Sequence, residues 1–394
     1  MELTCLDITK KVMEPFSSRY ILTMVHYYDD TTGLGNSSIY TGVGVTLMNL
    51  LLEIGCSGIE ELKNLIPEFL SNMTVELKKS KVGSGIFSAS SLRSSLVSDY
   101  FFMIGTLYSD VEGNKYLKNS NIFETYIELF EKSPDKDTIM KCVLVSLLYG
   151  KENITDAIFS TILHRGSVTI RVFAIKFLRT LIRTGYQNFE KFILPMLVSQ
   201  LYAYNTSDAE EIVEEALTVL TEACQDQECL EHLFNLFPAL IHLGDKGYEL
   251  VLRFLSIPRG FQQLSELGFV DSEMEKWKRY KCLEYVRKVE TTLLEALTGF
   301  KRGDPTFRSN ELKFPEYCYT PVHLYGELSQ FDTGIKRLQD EGVFTELDKM
   351  LKSSDILDIK AAAWAIGHIG ASCYGFAKIS QFEFVSKIRP TDLQ

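Results

Sequence analysis

One frame recurs along this 394-residue chain and restricts what it can fold into. Gly113, Gly260, Gly334 and Gly375 are each followed, four residues later, by an aliphatic residue: Leu117, Leu264, Leu338 and Ile379. Nine and ten residues after each glycine comes an apolar pair, Ile122-Phe123, Phe269-Val270, Val343-Phe344 and Phe384-Val385. The spacing predicts a short helix opening at a tight glycine turn, then a break, then a new apolar helix. Gly334 and Gly375 stand 41 residues apart, inside the roughly 40–47-residue period of armadillo and HEAT repeats. A small-residue helix repeats on nearly the same period, Ala174–Leu178 and then Ala216–Leu220, 42 residues on. Other offsets vary. The expected fold is all-α, an irregular armadillo/HEAT-type helical-repeat solenoid whose core grows in one dimension.

The rest of the chain agrees with that reading. Apolar residues at intervals of three and four mark helices over Gly58–Lys78, Leu92–Leu107, Val168–Arg183, Ala209–Cys224 and Met274–Leu297, among others, and no period-two series reads as a strand. Glu273–Glu290 mixes basic and acidic residues at helical spacing, the pattern of an exposed helix. Leu357–Tyr374 reads as a buried helix with a face of alanines, and Ala362, Trp364, Ile366, Gly367 and Gly370 are its expected core residues. Two stretches depart from the pattern. Residues 80–91, rich in serine and glycine, are expected to form a flexible loop. Residues 299–321 hold three prolines and are expected to connect a main array, 1–298, to a small, truncated C-terminal segment, 322–394.

Charge and chemistry exclude several function classes. A net charge of −11 argues against a general nucleic-acid binder, which would have to neutralise phosphates. Nine acidic residues and no lysine or arginine lie between Asp208 and Glu231, the pattern of a solvated outer face. The eight cysteines are scattered without a Cys-x-x-Cys pair, as in a reduced intracellular protein. The N-terminus lacks a basic segment followed by an apolar one, and the longest uncharged run is too broken by glycines and polar residues to span a bilayer. Cys224, Cys229, His232 and His242 lack the knuckle turn of a structural zinc site. Gly244-Asp-Lys-Gly247 resembles an anion-binding turn but does not match the phosphate-loop order, and a tight interhelical turn accounts for it better. No nucleophile–base signature appears. No enzyme activity, cofactor or metal is expected.

Two blocks carry a resemblance. One is His242-Leu-Gly-Asp-Lys-Gly-Tyr-Glu-Leu-Val-Leu-Arg-Phe-Leu-Ser-Ile-Pro-Arg-Gly-Phe261, followed by Leu264, Gly268 and Lys276-Trp277. The other is Tyr319-Thr-Pro-Val-His-Leu-Tyr-Gly326 with Lys360-Ala-Ala-Ala-Trp-Ala-Ile-Gly367. These residues resemble the central region of the Rictor family, a scaffold subunit of TOR complex 2. The resemblance implies a non-catalytic scaffold that holds the TOR kinase and the substrate-recruiting Sin-type subunit together for phosphorylation of AGC kinases. It also implies a cytoplasmic protein that meets a membrane only through the complex. Family members are commonly several times longer, so the chain is expected to be a fragment or a reduced member. Some members carry several arginines on the helix matching Ser17–Tyr28; here only Arg19 remains, beside Leu22 and Thr23. His368 stands where the family usually has Asn.

Recognition residues on a rigid array sit in its turns and loops. The expected partner contacts are therefore Gly244, Asp245, Lys246 and Gly247; Pro258, Arg259, Gly260 and Phe261; and Lys301, Arg302 and Arg308 of the connector. A second reading is a helical regulatory module for a small GTPase, because a middle section of the family is likened to the N-terminal module of Ras exchange factors.

Overall fold

The computed structural model describes residues 45–46, 48–53, 65–80, 83, 85–94, 96–149, 153–183, 188–202, 209–298 and 319–381. Every regular element among them is helical. The chain packs as two compact units, Met1–Leu220 and Thr221–Gln394. The first holds α1 (Leu65–Lys79), α2 (Ala89–Ser94), α3 (Asp99–Ser109), α4 (Val111–Lys118), α5 (Ile122–Lys132), α6 (Lys136–Ser146), α7 (Asn153–Arg165), α8 (Val168–Arg183) and α9 (Leu194–Gln200). The division falls within α10 (Ala209–Ala223). The second unit holds α11 (Gln227–Leu236), α12 (Gly244–Arg253), α13 (Pro258–Glu266), α14 (Phe269–Lys276), α15 (Cys282–Thr298), α16 (Leu324–Leu328), α17 (Asp332–Asp340), α18 (Val343–Leu351), α19 (Ile356–Gly370) and α20 (Cys373–Ile379). A break at 299–321 was the sequence expectation. Instead, α15 before that stretch and α16 and α19 after it share one unit, with α19 packed against both.

The recurring frame is a corner. Each of the four glycines lies in the first turn or so of a short helix, α4, α13, α17 or α20. A methyl group on any of them would collide with the backbone carbonyl oxygen six residues earlier: Leu107, Phe254, Leu328 and Ile369 respectively. Only glycine lets the new helix start this close to the end of the old one. The aliphatic residue four positions on plugs the corner, with Leu117, Leu264, Leu338 and Ile379 no more than 5% exposed. Where the apolar pair is described it opens the next helix, and Ile122, Phe123, Val270, Val343 and Phe344 are all buried. Between the two helices the chain turns at Gly268 (φ 72°) or Gly342 (φ 70°), left-handed positions that suit glycine.

Two stretches are more tightly held than their composition suggests. Within 80–91, Phe87 is fully buried, the Ser133 hydroxyl donates to the Ser80 carbonyl at 2.9 Å, and the Ala89 amide donates to the Asp135 carboxylate at 3.0 Å. Within Glu273–Glu290, expected to be exposed, Glu273, Trp277, Tyr285, Val286 and Val289 are buried. Trp277 continues the buried stripe of Val270 and Met274, and a π-helical turn at Trp277–Lys281 shifts the register after it, where Cys282, Tyr285, Val286 and Val289 face inward. On α19, Ala362 is fully buried and Ile366 is 7% exposed, while Trp364 and Gly370 are only half-buried. Gly367, expected in the core, is exposed.

An aromatic–histidine cluster holds the second unit together. His323 caps α16 by accepting the Tyr325 amide proton on Nδ1 at 3.2 Å, which places its own proton on Nε2. The ring is enclosed by Trp277 (4.6 Å between centroids), Tyr285 (4.7 Å) and His368 (5.1 Å, stacked). The Tyr285 hydroxyl donates to the Pro321 carbonyl at 2.7 Å and so accepts from His368 Nε2 at 2.6 Å.

Two predictions follow from this packing. Gly334→Ala forces a methyl group against the Leu328 carbonyl, so thermal unfolding should show a loss of about 2 kcal/mol. Burial, followed by the neighbouring His368, holds the His323 pKa well below its usual value. The unfolded chain then takes up a proton below about pH 6.5 while the folded chain does not, so stability falls as pH drops. Glu327 acts oppositely, because burial raises its carboxyl to about 7 against the pull of Arg253 and of a hydrogen bond with Ser256. In the comparison of wild type with His323→Asn, Glu327 is common to both. The wild-type advantage in urea unfolding should shrink from pH 7 to pH 5 by up to about 1.4 kcal/mol per pH unit.

Candidate docking surface

The turns read from the sequence as partner contacts divide into two kinds. Gly247 and Gly260 are buried spacers whose missing side chains let α12 and α13 abut the Leu240 and Phe254 carbonyls. Phe261 is half-buried and packs edge-on against Phe331 at 5.5 Å. These three have structural work. Gly244 (φ 74°), Asp245, Pro258 and Arg259 are exposed, and Lys246 is half-exposed. Asp245 reaches Lys288 at 3.5 Å, and the Arg259 guanidinium lies 6.0 Å from the centre of the Phe234 ring. Lys301, Arg302 and Arg308 lie outside the described residues, as does the stretch holding Arg19, Leu22 and Thr23.

Beside these turns lies a feature that periodicity does not reveal. Helix α11 ends at Phe237, whose amide donates back to Leu233 and Phe234 and whose own backbone is left-handed (φ 41°), turning the chain away from the helix. That conformation is strained for a residue with a bulky side chain, and Pro238 prevents the helix from resuming. Residues 237–242 therefore run non-helical across the ends of α12, α13 and α14. They enclose an open apolar cleft of about 540 Å³, walled by Phe237, Leu240, Val251, Phe254, Leu264 and Phe269. His242 and Ser272 are its polar side chains. On its walls and margin Leu236 is 51%, Ile241 57% and Leu267 67% exposed. The sequence signal was the run Leu236-Phe-Pro-Ala-Leu-Ile241, apolar but broken by proline.

The walls are braced by a buried carboxylate. Glu273 on α14 is 2% exposed and accepts from the Tyr248 hydroxyl of α12 (2.5 Å), Lys276 (2.9 Å) and Lys281 (2.8 Å). Burial pushes its pKa up, and the hydrogen bonds from Lys281, Tyr248 and Lys276 more than offset that, leaving it below the usual range. The Lys281 ammonium also sits 4.0 Å from the centre of the Tyr248 ring. Lys288 of α15 ties α12 from its other side, 2.7 Å from Glu249.

None of this is a reactive constellation. Burial raises the Cys224 and Cys282 thiols to about 12, far from thiolate chemistry at neutral pH. Among the described residues, no group of three or more His, Cys, Asp or Glu side chains is placed to hold a metal, and no helix is long and apolar enough to cross a membrane. A braced apolar cleft with an exposed rim is suited to receiving the side chains of another protein.

Comparison with known proteins identifies the family. Residues 78–182 match the family described as Rapamycin-insensitive companion of mTOR, middle domain, and residues 188–299 match its RasGEF_N domain. The chain belongs to the Rictor family. It is similar to the mouse Rapamycin-insensitive companion of mTOR, 32% identical over 392 residues, which is 94% of this chain and 22% of that protein. Protein pianissimo A of Dictyostelium discoideum is 33% identical over 73% of this chain and 25% of its own length. The Target of rapamycin complex 2 subunit ste20 of Schizosaccharomyces pombe is 33% identical over 75% of this chain and 23% of its own. The chain thus spans about a quarter or less of the relatives it matches. In this Rictor-family chain the cleft and its braces fall within the 188–299 match. Replacing Glu273 with Gln removes the buried carboxylate from two lysines that remain 43% and 21% exposed, and should cost about 1–2 kcal/mol in chemical denaturation.

Proposed function

We propose that this chain is a non-catalytic scaffold segment of TOR complex 2, presenting a rigid helical surface on which the TOR kinase and a Sin-type subunit are held. The observation that carries this reading is similarity to proteins named as Target of rapamycin complex 2 subunits, over 75% of the chain for ste20 and 88% for TSC11 of Saccharomyces cerevisiae. The cleft at 237–272, with Gly244, Asp245, Pro258 and Arg259 beside it, is the proposed contact surface, because it combines exposed apolar side chains with exposed turn residues. The braces around Glu273 keep that surface formed before a partner arrives, which lowers the ordering cost of binding. Lys301, Arg302 and Arg308 are proposed as further contacts because they lie in a proline-containing stretch without helical periodicity.

Affinity purification of the tagged chain from its own cells tests this. TOR kinase and a Sin-type subunit should be recovered together. Ile241→Asp combined with Arg259→Glu should lower that recovery at least about tenfold, a loss ordinary for central interface residues, with the far-ultraviolet circular dichroism unchanged. The match of 188–299 to a RasGEF_N domain favours a second reading, a regulatory module for a small GTPase. Recovery of a nucleotide-free GTPase without TOR kinase or the Sin-type subunit would replace the first reading with the second.

A further inference from the structure

The walls of the 237–272 cleft restrict the form in which a chain enters it. His242 and Ser272 are its polar side chains, and among the described residues no strand edge borders it. An extended segment lying there would bury its own N–H and C=O groups without a ladder to pair them, at the cost of desolvating each one. A helix arrives with those groups already paired and projects apolar side chains at i, i+3, i+4 and i+7. A volume of about 540 Å³ takes more than one such side chain.

The charges beside the cleft restrict the sequence of that helix. From Asp226 to Lys276 there are nine carboxylates and four cationic side chains. Glu228 (85% exposed) and Glu231 project from α11, the helix that ends at the cleft. On the other flank, exposed Glu266 precedes the lining residue Leu267, and Glu275 (74% exposed) lies one turn past the lining Ser272. The cations are engaged elsewhere. Lys276 holds Glu273 at 2.9 Å, Arg253 donates to Gln225 at 3.0 Å, and Lys246 has a partner of its own. Arg259 opens α13, at the opposite end from Leu264 and Leu267. Arg279 reaches Glu275 only at 3.9 Å, with both side chains largely in water, where such a pair is weak. The acidic stretch that ends at Glu231 therefore continues across the cleft on α13 and α14.

We propose that the cleft takes an amphipathic α-helix of a partner protein, its apolar side chains entering between the 237–242 run and α13 and α14. Its lysine or arginine side chains lie along the rim, toward Glu231, Glu266 and Glu275. The apolar walls hold the helix, and the rim carboxylates select a basic one and speed its arrival. This names the chemistry of the partner at the contact surface proposed above and rests on that reading of the cleft.

Two synthetic helical peptides test it. Both carry leucine at i, i+3, i+4 and i+7, one with lysine and the other with glutamate at the flanking positions. In fluorescence anisotropy with the 394-residue chain at low ionic strength, the lysine peptide should bind at least about tenfold tighter, a margin that shrinks in high salt. Ile241→Asn and Leu267→Asn, at positions 57% and 67% exposed, should each weaken it at least about fivefold without lowering the Tm. A proline in the middle of the lysine peptide should weaken it at least about tenfold. Glu231→Lys, Glu266→Lys and Glu275→Lys together should reverse the preference. A glutamate peptide that binds as tightly, a lysine preference that survives the triple reversal, or binding indifferent to Ile241→Asn, Leu267→Asn or the proline would each overturn the proposal. So would a dimer of the chain abolished by Ile241→Asn, which would make a second copy the occupant. The assay contains no TOR complex 2 subunit, so its failure is distinct from a failure to recover TOR kinase from cells. Lysine-peptide binding as expected, without that recovery, removes the complex 2 reading alone.

Discussion

The architecture depends on one backbone contact, the Cα of a first-turn glycine pressed against the carbonyl six residues earlier. It occurs at Gly113, Gly260, Gly334 and Gly375, and it fixes the angle at which each short helix leaves the one before. The glycines there have ordinary helical dihedrals, so they are required for space and not for conformational freedom. Freedom is what Gly268 and Gly342 supply eight residues later, where the chain must reverse. The two kinds of glycine are coupled. A short helix that starts at a contact and stops at a reversal leaves room for little more than one inward turn, which Leu264 or Leu338 fills. The apolar pair after the reversal then has a single place to go.

That economy is why the frame was legible in the sequence while its partners were not. A small residue, an aliphatic residue and an apolar pair at fixed spacing are local facts. Which carbonyl lies against the glycine is a tertiary fact, visible only once two helices have docked. The same limit explains Glu273–Glu290. Its alternating charges are the usual mark of a solvated helix, yet Trp277 is buried in phase with Met274, and the π-turn at Trp277–Lys281 advances the register by a residue so that Tyr285 also enters the core. Glu273 follows them inside because Tyr248, Lys276 and Lys281 meet it there. Periodicity counted at 3.6 residues per turn has no means of anticipating an inserted residue.

The buried polar groups show how the second unit tolerates such intrusions. Glu273 is ionised and surrounded by donors, so its burial is compensated locally. His323 is neutral: one ring nitrogen serves the α16 cap, and the other faces aromatic rings without a hydrogen-bond partner. The first is stabilised by charge and the second by avoiding it, and the two respond to acid by different routes, protonation of a paired carboxylate and charging of an enclosed imidazole. Both sit against the π-turn, Glu273 through Lys281 and His323 through Trp277. The irregular turn is therefore the point where the α12–α14 braces and the α16–α19 cluster are joined.

A partner surface is harder to read than a core because its residues have no internal duty to betray them. The turn Gly244–Gly247 makes the point, for its two glycines look alike in sequence. Gly247 admits the Leu240 carbonyl, and nothing approaches Gly244. On α19 the same contrast separates Gly370, where a methyl group would lie 2.8 Å from Ile379, from Gly367, which is open. The cleft at 237–272 owes its exposure to a helix cut short, at the left-handed Phe237 and the proline that follows it.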